Sequence, residues 1–333
     1  MTYDSEKYIA TQAVVLASKL CRNIQKNLLE KHCLTKIDQS PVTIADYASQ
    51  AVIALCLFKS FPNIPILGEE DSEILLSKPE FLSQVTQEVR KNIPNISEKQ
   101  ILKVIDRSSR LPHLPDLFWT LDPIDGTKVF IKRSHYAIAL ALVKKGSVVL
   151  GVLGCPNLTP DLIPNENGTI YIAEKGRGAH KRSVDNPAET IIQVSPERDV
   201  NKSIVCTSPI SDKSKELAYL VHSLKTSKEP VFVHGQCKYA LVAEGIASLY
   251  YRLSPNKSYQ EKIWDHAAGS ILVKEAGGIT TDIKGKVLDF SIGTTLKNNC
   301  GILSTTKNLQ EVLLQNIKTH EESKTLHPSL AGT

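Results

Sequence analysis

The stretch Leu117-Phe118-Trp119-Thr120-Leu121-Asp122-Pro123-Ile124-Asp125-Gly126-Thr127 decides how the chain is interpreted. Its apolar first half predicts a buried strand that stops at Asp122. The proline that follows presets one backbone angle, and Gly126 permits a turn that a side chain would hinder. Such a turn can direct the carboxylates of Asp122 and Asp125, together with the carbonyl oxygen of Ile124, towards one place.

These oxygen atoms suit a metal ion. Carboxylate and carbonyl oxygens are the ligands that a hard cation such as Mg²⁺ prefers, and a strand end is rigid enough to hold them. An ordinary Asx-type turn accounts for the same string of residues, because aspartate and glycine favour turns in many proteins. The motif alone therefore leaves a metal site and a simple turn open.

Three other acidic positions have two interpretations each. Gly68-Glu69-Glu70-Asp71 follows a predicted strand over 64–67 and is either a solvated loop or a source of ligands. Asp46 opens a predicted helix that ends near Phe58, and it either caps this helix or serves as a base. Asp265 opens a predicted helix over 265–276, where it either caps the helix or binds a metal beside N–H groups that face a phosphate.

Composition excludes several classes of protein. The 333 residues are 41% hydrophobic and 23% charged, which predicts a folded protein with a core, and no apolar run is long enough to span a bilayer. The net charge is +5, but the basic residues are spread along the chain and aromatic residues are only 6%, so no nucleic-acid partner is expected. Seven scattered cysteines form no disulfide framework or zinc pattern.

The N-terminal residues predict the cellular compartment. Residues 1–6 lack a signal peptide, which predicts the cytoplasm, with the nucleus as the alternative, and no membrane partner. The sequence does not indicate an oligomeric state.

The order of predicted elements changes along the chain. Residues 1–186 have the pattern of an α+β domain that carries the acidic motifs, with a helix over 5–29, two short helices within 80–107, and strands at 136–143, 147–153 and 170–173. Residues 187–318 have an α/β pattern, with strands at 190–194, 203–207 and 248–253 and helices at 212–225, 237–244, 265–276 and 307–318. Residues 319–333 are predicted to be a loose tail.

Taken together, the acidic motifs resemble those of the inositol monophosphatase superfamily, in the same order along the chain. Within it, three stretches are similar to the 3′(2′),5′-bisphosphate nucleotidases: Ser40-Pro41-Val42-Thr43, Gly154-Cys155-Pro156-Asn157-Leu158, and residues 258–269. The resemblance covers residues 8–315. It implies a layered α-β-α-β-α sandwich and Mg²⁺-dependent removal of the 3′-phosphate from adenosine 3′,5′-bisphosphate or 3′-phosphoadenylyl sulfate, a small phosphorylated nucleotide.

The resemblance also implies a role for each site residue. Two or three Mg²⁺ ions would be bound by Glu69, Asp122, the Ile124 carbonyl, Asp125 and Asp265. Asp46 and Thr127 would orient or deprotonate the attacking water, while Thr127, Lys238, Arg252 and Asp265 would contact the substrate. A solvated helix residue is the alternative for Lys238. Inhibition by lithium and a place in sulfate assimilation are further expectations from the family.

Several positions depart from the family pattern. The loop Thr207-Ser208-Pro209-Ile210-Ser211-Asp212 lacks a histidine, Gly235 stands where serine is common, and Val129 and Lys132-Arg133-Ser134 replace residues that include glycine. These departures bear on nucleotide preference. One alternative is a phosphatase that uses the same metal centre on inositol phosphates. The other is a non-catalytic sensor that binds nucleotide or metal without turnover.

Overall fold

The computed structural model describes residues 2–109, 111, 113–158, 168–208, 224, 226–253 and 259–326, with side chains as far as residue 319. The described strands form a two-stranded hairpin, a seven-stranded sheet and a five-stranded sheet. All seven cysteines are free thiols. No described helix combines the length and the apolar character that crossing a membrane requires.

The first half of the chain builds the hairpin and the larger sheet. The hairpin consists of β1 Cys33–Thr35 and β2 Pro41–Thr43. The sheet consists of β3 Ile66–Gly68, β4 Leu117–Asp125, β5 Ala137–Lys144, β6 Ser147–Cys155, β7 Thr169–Glu174, β8 Ala179–Ser183 and β9 Thr190–Ile192, in that spatial order. The pair β3 and β4 is parallel, and every later pair is antiparallel.

The second half builds the smaller sheet. Its strands are β10 Val205–Thr207, β11 Val231–Phe232, β12 Leu249–Arg252, β13 Gly278–Thr281 and β14 Ile302–Thr306. They lie in the order β11-β10-β12-β14-β13, parallel across the first three and antiparallel across the last three.

Helices cover the faces of both sheets. Those of the first half are α1 Asp4–Lys26, α2 Ile44–Ser60, α3 Glu73–Ser77, α4 Pro79–Arg90, α5 Glu98–Arg107 and α6 Thr127–Ile131. Those of the second half are α7 Cys237–Ala243, α8 Ala267–Glu275 and α9 Gln310–Leu326, and a 3₁₀ turn at Ile263–Asp265 precedes α8.

The alternation of side chains along β5 explains the layering. Ile138, Leu140 and Leu142 pack in one core with α1 and α2, whereas Ala139 and Ala141 point to the opposite face and pack in a second core with α7 and α8. A third core joins the far face of the smaller sheet to α9. The layers are therefore α-β-α-β-α, which confirms the predicted fold class.

Most predicted elements are present, and the differences have local causes. The strand predicted to stop at Asp122 continues to Asp125, because its pairing with β5 resumes after an irregularity between these two residues. The last helix continues to Leu326, so the expected loose tail is wrong for residues 319–326. The helix predicted over 212–225 lies outside the described residues, apart from Leu224. Strand β9 pairs with β8, so the larger sheet extends beyond residue 187, where the second domain is predicted to begin.

Candidate metal and phosphate site

The irregular end of β4 carries three of the predicted ligands. Asp122 pairs with Ala139 of β5 and accepts a 3.0 Å hydrogen bond on Oδ1 from the Ile124 N–H. Gly126 has a φ of +102°, the left-handed region that favours glycine, and it leads directly into α6. The Ser49 hydroxyl donates to the Pro123 carbonyl at 3.0 Å and fixes the turn against α2. The backbone is therefore held at the point where the carboxylates converge.

The other two predicted carboxylates reach the same place. Glu69 follows β3, and its N–H donates to the Leu121 carbonyl on the neighbouring strand at 3.1 Å. Burial raises the pKa of Asp122 well above its usual value, and Glu69, Asp125 and Asp265 raise it further. Burial also raises the pKa of Asp265, again with contributions from Asp125 and Glu69. The four carboxylates thus lie close enough to repel one another.

The donor set fits a hard cation. Burial raises the pKa of Asp122, Asp125 and Asp265, and neighbouring carboxylates add to this rise at Asp122 and Asp265, so a bound cation would stabilise their charged forms. All of the candidate atoms are oxygens, as Mg²⁺ prefers.

Asp265 itself corrects one sequence interpretation. It lies in the 3₁₀ turn, and α8 begins at Ala267 with His266 in the capping position. Asp265 is therefore not the helix cap, because the chain makes one more turn of a different kind before the helix begins.

Asp46 and Thr127 form a hydrogen-bonded pair at the edge of the carboxylate cluster. Asp46 is buried in the first turn of α2, where its Oδ2 accepts from the N–H and the hydroxyl of Thr43, both at 2.8 Å. Its Oδ1 accepts from the Thr127 hydroxyl at 2.9 Å. Burial raises the pKa of Asp46 to about 6, although the hydrogen bonds from Thr43 oppose this rise. Asp46 is thus both a capping-box residue and a candidate base.

A lysine that the sequence analysis missed lies beside Glu69. The ammonium group of Lys36 is 2.6 Å from Glu70 Oε1 and 3.4 Å from Glu69 Oε1. Burial acts to lower the pKa of Lys36, but the two glutamates outweigh it and hold that pKa above its ordinary value. Lys36 comes from the β1–β2 hairpin, and no local pattern in the sequence connects this hairpin with the acidic loop.

Two cations, Lys238 and Arg252, line a cavity together with Asp125. Lys238, in α7, is buried, so it is not the solvated helix residue of the alternative interpretation, and it donates to the Ser208 hydroxyl at 2.9 Å. Arg252 is the last residue of β12. Burial raises the pKa of Asp125, whereas Lys238 and Arg252 lower it. A cavity of about 20 Å³ lies among them, lined by Asp125, Gly235, Gln236, Lys238, Tyr239, Tyr250, Arg252, Asp265 and His266.

The sequence analysis assigned no role to Glu261, His266 or Tyr239. Glu261 is buried, and its carboxylate accepts from Arg252 Nε at 2.8 Å and lies 3.1 Å from His266 Nε2. The Tyr239 hydroxyl is 2.8 Å from His266 Nδ1. Only the proximity of Glu261 to Asp265 in the sequence could have suggested these contacts.

Gly235 explains one departure from the family pattern. Its φ is +56°, and a Cβ placed on it would lie 2.7 Å from the Asp125 carbonyl oxygen. The turn brings the N–H of Gln236 to the Asp125 carboxylate. Arg133, another departure, also has a positive φ of 57°. Residues 209–212 of the altered loop lie outside the described residues.

Comparisons with known proteins agree with this architecture. The profile of the inositol monophosphatase family matches residues 5–322. The chain is 36% identical to a 3′(2′),5′-bisphosphate nucleotidase of Schizosaccharomyces pombe, over 95% of both chains. It is 39% identical to a 3′(2′),5′-bisphosphate nucleotidase of Dictyostelium discoideum, over 93% of this chain and 95% of the relative.

Solved structures support the fold. The extragenic suppressor protein suhB of Bartonella henselae superposes with a TM-score of 0.66 at 21% identity, over 94% of this chain and 98% of the other. The Thermotoga maritima IMPase superposes with a TM-score of 0.65 at 20% identity, over 94% and 96%. The chain belongs to the inositol monophosphatase family.

Proposed function

We propose that the protein is a 3′(2′),5′-bisphosphate nucleotidase that hydrolyses the 3′-phosphate of adenosine 3′,5′-bisphosphate to AMP and phosphate. 3′-Phosphoadenylyl sulfate, which carries the same 3′-phosphate, is a second candidate substrate. The relatives of that name share 36–39% of their residues with this chain over nearly its whole length. The clustered carboxylates and the two nearby cations are consistent with a metal-dependent enzyme that acts on a small phosphorylated substrate.

One observation carries the proposal. Asp125 contacts both groups of charges, because it follows Asp122 at the end of β4 and lines one cavity together with Lys238, Arg252 and Asp265. A carboxylate cluster suits a metal-assisted reaction at one phosphate, and two cations suit the binding of a second phosphate. A substrate with two phosphates uses both halves of the site.

We propose that Glu69, Asp122, the Ile124 carbonyl, Asp125 and Asp265 hold Mg²⁺, as two or three ions. When bound, Mg²⁺ would supply Lewis-acid stabilisation of the negative charge that develops on the phosphate and on the leaving oxygen. The ammonium group of Lys36 offsets part of the negative charge of Glu69. Less charge therefore remains on Glu69 for a bound cation to neutralise.

The residues of the chain perform the remaining steps. The Thr127 hydroxyl donates its hydrogen to Asp46, and its oxygen has lone pairs that can accept a hydrogen bond from the attacking water. As the water oxygen bonds to phosphorus, its proton passes towards the Thr127–Asp46 pair. The 3′-oxygen leaves with the electron pair of the broken P–O bond and takes up a proton from solvent water. Lys238 and Arg252 hold the 5′-phosphate, so the nucleoside cannot turn away.

Two alternatives use the same residues differently. An inositol phosphate phosphatase would keep the metal centre and dispense with the cations around the cavity. A non-catalytic sensor would bind nucleotide or metal without hydrolysis. The hydrogen bond between Thr127 and Asp46, and the effect of Glu69, Asp125 and Asp265 on the pKa of Asp122, support an enzyme over a sensor.

A panel of substrates scored by phosphate release tests the proposal. It comprises adenosine 3′,5′-bisphosphate, 3′-phosphoadenylyl sulfate, adenosine 3′-monophosphate and inositol 1-phosphate, each at millimolar Mg²⁺. We expect the bisphosphate to be hydrolysed with the highest kcat/KM. A higher value for the inositol phosphate supports the first alternative, and calorimetric nucleotide binding without phosphate release supports the sensor.

Lithium provides a check on the metal site. Li⁺ is a small hard cation and should compete for the carboxylate oxygens, so we propose that LiCl inhibits phosphate release while KCl at the same concentration does not. Equal rates in both salts would argue against this use of the site.

A further inference from the structure

A network of buried side chains connects the cations with the metal cluster. Glu261 is only 4% exposed and lies at its centre. One carboxylate oxygen accepts from Arg252 Nε at 2.8 Å, and the other lies 3.1 Å from His266 Nε2. His266 continues the network through Nδ1, which is 2.8 Å from the Tyr239 hydroxyl. His266 is also the residue that follows Asp265.

The proton positions in this network follow from its partners. A carboxylate only accepts hydrogen bonds, so His266 Nε2 must carry a hydrogen. In the neutral imidazole, Nδ1 then accepts from the Tyr239 hydroxyl. The two oxygens of Glu261 are therefore both required, one for Arg252 and one for His266.

The guanidinium of Arg252 is fixed by two contacts. Its Nε donates to Glu261, and Nη2 donates to the Tyr259 hydroxyl at 3.2 Å. These contacts set the plane of the group, which lines the cavity beside Asp125 and Lys238. Because a guanidinium binds phosphate through donors in a fixed plane, its orientation decides whether the geometry is correct.

We propose that Glu261 is a positioning residue that selects substrates with a second phosphate, by fixing the orientation of the Arg252 guanidinium. Its second contact keeps His266, and with it the backbone next to Asp265, in place. The proposal rests on the proposed function, since it assigns the second phosphate of a nucleoside bisphosphate to Arg252.

Glu261→Gln tests this role with little change of volume. Glutamine has one acceptor oxygen and one NH₂ group, so it can accept from Arg252 or from His266 but not from both. We expect KM for adenosine 3′,5′-bisphosphate to rise about 10- to 100-fold, the effect of one charge-assisted hydrogen bond. We expect KM for adenosine 3′-monophosphate, which lacks the second phosphate, to change less than about threefold.

Further variants separate positioning from damage to the fold. Arg252→Gln should cause the same selective loss, and the double variant should lose little more than either single variant. Glu261→Asp keeps both acceptor oxygens and should recover part of the selectivity, and it replaces Glu261→Gln if that variant does not fold. Glu174→Gln is the matched control, because Glu174 is a buried glutamate that pairs with Lys7 at 3.5 Å.

The outcomes distinguish the two proposals. A selective loss of affinity for the bisphosphate, shared by the Arg252 variant, supports the role of Glu261. Equal losses for both substrates, or additive losses in the double variant, overturn that role while the nucleotidase activity stands. A wild-type protein that releases no phosphate from the bisphosphate overturns the proposed function itself.

Discussion

The Thr127 hydroxyl donates a 2.9 Å hydrogen bond to Asp46 Oδ1, across 81 positions of sequence. The contact joins the first turn of α2 to the first residue of α6. It places a hydroxyl and a buried carboxylate at the edge of the acidic cluster, where water would have to approach a phosphate. In the proposed mechanism, this pair orients the attacking water and receives its proton.

Replacing Thr127 by valine should abolish most of the turnover. The change keeps the shape of the side chain but removes the oxygen that orients water, and loss of this kind of assistance lowers kcat by about 10²- to 10⁴-fold. Thr127→Ser keeps the hydroxyl and should retain most of the activity. Steady-state kinetics with the bisphosphate measure both variants. A valine variant within about fivefold of the wild-type kcat would exclude this role.

Asp122→Asn should stabilise the metal-free protein. Burial and three neighbouring carboxylates raise the pKa of Asp122, so its charge opposes folding at neutral pH. The amide removes this charge and can still accept from the Ile124 N–H. We expect the Tm in a chelator to rise by about 2–5 °C, and the further gain on adding Mg²⁺ to shrink. A lower Tm in the chelator would contradict the description of the cluster.

Glu261 should contribute to stability in a defined range of pH. Its hydrogen bonds to His266 and Arg252 outweigh burial and lower its pKa to about 2. A lowered carboxyl pKa stabilises the fold above the unfolded value near 4.5, and this contribution disappears as pH falls towards 2. The difference in unfolding free energy between wild type and Glu261→Gln, from urea titrations, should therefore shrink between pH 5 and pH 3. A constant difference would mean that the charge of Glu261 contributes nothing.

Gly235→Ala should cost more stability than alanine at another glycine of similar backbone conformation. At Gly235 the added methyl group would lie 2.7 Å from the Asp125 carbonyl oxygen, so backbone strain and a close contact add up. Gly176 has a φ of +77° with no atom within 4 Å of an added Cβ, so only strain of about 1 kcal/mol applies there. Urea titrations of both variants give the difference. Equal losses would show that the contact with Asp125 relaxes freely.

The local motifs of the sequence predicted much of the site. Asp122, Asp125 and Thr127 belong to one turn, and a strand followed by proline and glycine has few ways to arrange them. Glu69 was assigned to the site through the resemblance to the family, because its own sequence was equally consistent with a solvated acidic loop. The predicted layers also agree with the structure, since hydrophobic patterns reveal which faces are buried.

The remaining residues could not be predicted because they depend on long-range packing. Lys36 meets Glu70 only because the β1–β2 hairpin folds over the end of β3. Glu261 could not be paired with Arg252 from its pattern, as the contact joins β12 to the turn before α8. For Asp265, the local pattern predicted a helix cap that the structure does not have, because a 3₁₀ turn precedes the helix.

The most direct test of the central claim is the rate of phosphate release from adenosine 3′,5′-bisphosphate by wild type and by Asp122→Asn. Both proteins are measured at millimolar Mg²⁺ and again in a chelator, with circular dichroism to confirm folding. We predict release by the wild type that requires Mg²⁺, and a loss of at least about 100-fold in the folded variant. Near-normal release by Asp122→Asn, or wild-type release that persists in the chelator, would contradict the assignment of this cluster as the catalytic metal site.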